Sequence, residues 1–126
     1  MDSQQYIADA VRTESKDFAT IAARMQSPEN IRLLHSAIGL VTEAGEIQDA
    51  LKKHIFYGRT LDKVNLEEEL GDLFWYMAVM ADTLGISFEQ VMEKNIRKLK
   101  SRYGEKFTEE RAIKRDLDTE RQILES

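Results

Sequence analysis

Two short acidic motifs of equal internal spacing stand in the middle of the chain: Glu43 and Glu46 form a Glu-x-x-Glu, and Glu69 and Asp72 form a Glu-x-x-Asp. Residues three apart on a helix lie one turn above one another on the same side, so each pair would present two carboxylates to one point. Two such pairs facing each other make an oxygen-only cage. Such a cage suits hard cations, namely magnesium, manganese or calcium. Mg²⁺ is typically held by a few carboxylates together with the phosphates of a substrate. Neither His35 nor His54 completes the Glu-x-x-His that a di-iron bundle would want, so both read as structural.

Positioning these acids requires helices. Residues 3 to 25 read as a first helix with an imperfect stripe through Tyr6, Ile7, Ala10, Val11, Phe18, Ile21 and Ala22. Ser27-Pro28-Glu29 then starts a second: serine caps free N–H groups, proline suits the first helical position, and glutamate favours the positive end of the helix dipole. Leu33, Ala37, Leu40, Ala44, Ile47 and Leu51 alternate four and three apart, the seam of a packed bundle, and Leu34, Ile38 and Val41 widen it. More than one neighbour should therefore cover this helix. Gly39 and Gly45 each cost about 1 kcal/mol in a helix, which points to close approach by another backbone or a ligand.

The third helix is expected from Asn65, with Glu68 as a capping partner and a buried face through Leu66, Leu70, Leu73, Phe74, Met77, Met80, Ala81 and Leu84. Glu46 lies many residues before the connection whereas Glu69 lies soon after it. To bring the pairs level, the second helix should stop near His54 and residues 55–64 should fold back over the site. Gly85 stops the third helix, and Ser87 with Gln90 makes a capping box for a fourth, whose apolar face is Phe88, Met92, Ile96, Leu99 and Tyr103. Beside that face Asn95, Lys98 and Arg102 share a sector of roughly 60°, an amide and two cations in a row. Gly104 ends the helix. The remainder, from Glu105, reads as a packed arm followed by a frayed or partner-bound tail.

At 126 residues with 33% charged side chains and one proline, the chain reads as a single all-α domain, 1–126, with a core over about 28–104 and a C-terminal arm over about 105–126. A net charge of -5 argues against a nucleic-acid polymer as partner, because phosphate backbones need a basic face. The absence of cysteine excludes disulfide and thiol chemistry. The N-terminus lacks the basic start and apolar run of a signal peptide, and no stretch approaches the roughly 20 apolar residues of a membrane span. A cytoplasmic protein that does not engage membranes is the expectation.

Either acidic pair alone is ordinarily solvated surface. Both pairs, however, border apolar seams and sit near helix glycines, and a further helix offers Asn95, Lys98 and Arg102. Trp75 and Tyr76 read as core or interface residues rather than as platforms for a base. One lysine of the Lys52–Lys53 pair, Lys53, is able to reach phosphate. The competing reading is a noncatalytic helical oligomeric interaction module with its acids on the surface.

The segment Ala37-Ile38-Gly39-Leu40-Val41-Thr42-Glu43-Ala44-Gly45-Glu46, followed after 22 residues by Glu69-Leu70-Gly71-Asp72-Leu73-Phe74-Trp75-Tyr76, resembles the MazG-like all-alpha nucleoside triphosphate pyrophosphohydrolases. Lys94-Asn95-Ile96-Arg97-Lys98-Leu99-Lys100-Ser101-Arg102-Tyr103 is similar to that family's fourth helix. The resemblance covers roughly residues 30 to 110. It implies an antiparallel bundle with a four-helix core, completed by homo-oligomerisation as a homodimer or homotetramer. It further implies hydrolysis of a nucleoside triphosphate to the monophosphate and pyrophosphate with Mg²⁺, Mn²⁺ being able to substitute. Glu43, Glu46, Glu69 and Asp72 carry over as metal ligands, Glu46 or Glu43 as the group acting on water, and Asn95, Lys98 and Arg102 as phosphate-side contacts.

Overall fold

Ser27 caps the helix that organises the molecule, its side chain accepting from the Asn30 N–H with Pro28 in the first turn. In the computed structural model, which describes residues 2–104 and 106–126, that helix is the third of seven. The order is α1 (Ser3–Val11), α2 (Phe18–Met25), α3 (Pro28–Tyr57), α4 (Lys63–Leu84), α5 (Phe88–Tyr103), α6 (Glu109–Ile113) and α7 (Leu117–Glu125). No strand occurs among the described residues, so the all-helical expectation holds. The first residue of the anticipated arm, Glu105, lies outside the described residues, as does Met1.

The long first helix anticipated over residues 3–25 is instead two. Asp17 accepts from the Thr20 N–H and so caps a new helix. A short acidic side chain that can satisfy free backbone donors favours a restart over continuation when the apolar stripe is weak. α2 then packs on α3, whereas α1 has no substantial partner among the other helices.

The dominant packing is α3 against α4, an antiparallel hairpin closed by residues 58–62. α3 runs to Tyr57, a turn beyond the anticipated stop near His54, and Gly58 ends it with φ 66°. Residues 58–62 fold back along the last turns of α3, as the acid spacing required. The hairpin then turns into α4 at Asp62, whose carboxylate accepts from the Val64 and Asn65 N–H groups. Asp62, not Asn65, is therefore the cap: its carboxylate reaches two orphan donors at once. Arg32 of α3 pairs with Asp82 of α4 at 2.5 Å, and the Tyr76 ring lies against Gly39. These contacts fix the register of the hairpin.

Gly39 is buried because any Cβ there would run into the Tyr76 ring. The close approach inferred from this glycine is thus real, and an aromatic ring makes it. Gly45 differs: beyond its own stretch of helix, nothing among the described residues lies within 4 Å of where its Cβ would stand.

α4 ends at Gly85 (φ 65°), and the Ser87–Gln90 capping box opens α5 as anticipated. α5 packs on α6 and α7. Where a frayed or partner-bound tail was expected, the chain forms α7 and lays it on α5. Glu120 of α7, only 5% exposed, accepts two hydrogen bonds from Arg102 at 2.7 and 2.5 Å and two from Arg115 at 2.7 and 3.5 Å. Lys94 of α5 caps the other end by donating to the Leu124 carbonyl at 2.9 Å. The two guanidinium groups hold the Glu120 carboxyl down to about 2.

No apolar side chain among the described residues is buried within the single chain. The accessible surface is 10389 Å², against about 6,900 Å² for a compact monomer of this mass. Leu34, Ile38 and Val41, which widen the α3 seam, are all exposed, Val41 by 74%. Gly39→Ala is expected to force Tyr76 off α3 and destabilise the protein by about 1–3 kcal/mol, the usual cost of overpacking. A thermal melt beside Gly45→Ala, which adds a methyl to open space and should not destabilise, checks it.

Candidate functional site

The register of α3 against α4 brings Glu43, Glu69 and Asp72 to one point, with one oxygen of each within 4.8 Å of the others. Glu43 and Glu69 are half-buried and Asp72 is exposed. Asn65, one turn before Glu69, donates its side-chain N–H to Glu69 Oε1 at 2.8 Å. This second role for Asn65 is legible only in its spacing of four from Glu69, which places two side chains side by side on a helix.

The Glu43 carboxyl is raised above its ordinary value. Desolvation is the largest cause, followed by a shared hydrogen bond with Glu69 and the negative charges of Asp72 and Glu69, while Thr42 opposes the shift. A carboxyl that resists ionisation among other carboxylates is a place where a cation would be welcome. The donors are oxygen only, which fits a hard divalent ion.

Glu46 stands outside this cluster. Three helical residues turn about 300°, so Glu46 is offset from Glu43 by about 60° around α3, and the register of α4 centres its acids on Glu43. Glu46 instead lines a polar cavity with Asp49, Lys53, Arg59, Asp62 and Asn65. Lys53 and Lys52 both pair with Asp49, whose carboxyl these lysines lower. Asn95, Lys98 and Arg102 lie on α5, which packs on α6 and α7 rather than on α3. Arg102 there spends two donors on Glu120. His54 is structural: its Nδ1 lies 2.7 Å from the Arg59 carbonyl. His35 packs edge-on against Trp75 and Tyr76, about two turns along α3 from Glu43 and one turn along α4 from Asp72. Arg59, which lines that cavity, stands alone in a loop without periodicity and carries no signal in the sequence.

Fold and site together define an all-helical domain whose central hairpin gathers carboxylates suited to a hard divalent cation. The model of the MazG nucleotide pyrophosphohydrolase domain matches residues 33–107, and the chain belongs to that family. It is also similar to the "Gene 37 protein" of Mycobacterium phage L5, 39% identical over 77 residues, which are 56% of this chain and 65% of that protein. The chain thus spans just under two thirds of that relative's length. No solved structure matches the chain. No helix among the described residues is long and apolar enough to cross a membrane.

Because Glu43 is raised, it keeps its proton in the folded state after the unfolded chain has released its own. The metal-free protein should therefore lose stability as pH rises above 4.5 through the raised folded value, and lose no more of it above that value. Glu43→Gln removes this loss: without metal the variant should melt at the same or a higher temperature than the parent near neutral pH. Added Mg²⁺ should stabilise the parent by about 2.7 kcal/mol at a hundredfold excess over its dissociation constant, and the variant much less. Melting series with and without Mg²⁺ provide the check; equal metal responses would remove Glu43 from the site.

Proposed function

We propose that this chain hydrolyses a nucleoside triphosphate, ribo- or deoxyribo-, to the monophosphate and pyrophosphate with Mg²⁺, as an enzyme of nucleotide-pool control or house-cleaning. The observation that carries this reading is the convergence of Glu43, Glu69 and Asp72 on one point in a member of this family. These three acids would hold the ion, with Mn²⁺ able to substitute. Bound there, a divalent cation would neutralise charge on the triphosphate and acidify a water.

The chain's own residues supply orientation and a proton acceptor. The water oxygen bonds to the phosphorus nearest the nucleoside, the bond to the bridging oxygen breaks, and pyrophosphate leaves in line. The proton lost by water passes to a glutamate. Glu43, which stands in the cluster that would hold the water, is proposed to accept that proton, and Glu46 lines the cavity one turn away. Asn95, Lys98 and Arg102 are proposed as phosphate-side contacts. Since α5 does not pack on α3 within one chain, a second copy is the natural source of this row.

Homodimerisation or tetramerisation is proposed as well, supported by the exposed apolar side chains of α3. The excess over a compact monomer, about 3,500 Å², exceeds the roughly 800 Å² that a standard interface takes from each partner. Light scattering should give a dimer or tetramer; a stable monomer at micromolar concentration would count against it. A panel of canonical and modified (d)NTPs, assayed with Mg²⁺, should yield pyrophosphate with monophosphate. Orthophosphate as the direct product would sink the reaction as written.

A further inference from the structure

The cavity between the end of α3 and the returning segment 58–62 has a volume of about 140 Å³. That is well below the roughly 300–1,000 Å³ of a site that encloses a small organic ligand, so it can take only a fragment of a nucleotide. At about 30 Å³ per water, it holds the equivalent of four or five waters. A polar tail fits; a nucleoside does not.

Most charges around the cavity are already committed. Asp49 is neutralised by Lys52 and Lys53, and Asp62 is spent on the first N–H groups of α4. Two remain, Glu46 and Arg59, neither of which forms an ion pair among the described residues. The backbone of Arg59 is nevertheless fixed on both sides. Its N–H donates to the Lys53 carbonyl at 3.2 Å, its carbonyl lies 2.7 Å from His54 Nδ1, and Gly58 before it takes the left-handed turn at φ 66°. An uncommitted guanidinium on an anchored backbone offers a fork for two oxygens of a phosphate.

The cavity also adjoins the carboxylate cluster. Asn65 is in its wall and donates to Glu69, and Glu46 is one turn of α3 from Glu43. We propose that this cavity is the subsite for the outer phosphates of the triphosphate, with Arg59 clamping them and Lys53 beside it. This rests on the hydrolytic reading above and adds to it the residue that holds the leaving pyrophosphate. With the innermost phosphate at Glu43, Glu69 and Asp72, the tail runs past Asn65 toward Arg59. The nucleoside points the other way.

The test is calorimetric titration of the Mg²⁺-loaded protein with inorganic pyrophosphate and, separately, with a nucleoside monophosphate. Parent, Arg59→Gln and Arg59→Lys are compared, with melting curves to confirm folding. Arg59→Gln should weaken pyrophosphate at least tenfold and leave the monophosphate within twofold. Arg59→Lys, which keeps the charge and loses the fork, should fall between and serves alone if Arg59→Gln does not fold. Unchanged pyrophosphate affinity, an equal loss for both ligands, or no pyrophosphate binding by the parent would overturn the proposal. A parent that binds pyrophosphate through Arg59 yet hydrolyses no triphosphate would sink the reaction and leave the subsite standing.

Discussion

Three carboxylates within 4.8 Å of one another repel, and nothing local to either helix brings them together. What holds them is the register of α3 against α4. The Tyr76 ring seated on Gly39 sets the interhelical distance one turn from Glu43 and Asp72, and the Arg32–Asp82 pair fixes the far end. The Glu43 carboxyl is raised there, by desolvation first and then by its neighbours Glu69 and Asp72, so ionising all three acids strains the fold. A divalent cation would relieve that strain, and its binding energy would then add to folding energy.

The hairpin's connection has two physical tasks. It must close α3 onto α4 with the acids level, although they stand at unequal distances from the turn. α3 overshoots to Tyr57, and residues 58–62 return along it. That return builds the polar cavity beside Glu46 and anchors Arg59. Closure of the hairpin and formation of that cavity are thus one event. At the other end of the chain, Glu120 stitches α7 onto α5 through Arg102 and Arg115. Losing either guanidinium would leave a buried carboxylate underpaired, which is costly.

Local hydrogen bonding was legible in the sequence. The caps at Ser27 and Ser87 and the stops at Gly85 and Gly104 each depend on a few neighbouring residues. So was the pairing of acid motifs, read from spacing as Glu43, Glu46, Glu69 and Asp72, three of which the structure gathers. The cap at Asp62 was less so, because Asp62 and Asn65 are both good caps and only the length of the return decides between them. Helical spacing put Glu46 beside Glu43, but which of the two faces α4 depends on how α3 is rotated, a long-range property. The Arg32–Asp82 and Arg102–Glu120 pairs join residues far apart in the chain and leave no periodic trace. Leu34, Ile38 and Val41, expected to be covered by a further neighbour, are exposed in the single chain.

The central claim is that the carboxylate cluster marks the place where water meets the innermost phosphorus of a nucleoside triphosphate. Hydrolysis in ¹⁸O-labelled water with Mg²⁺, followed by mass spectrometry of both products, tests it most directly. The account predicts one labelled oxygen in the nucleoside monophosphate and none in the pyrophosphate. Label in the pyrophosphate, or no hydrolysis of any nucleoside triphosphate, would contradict it.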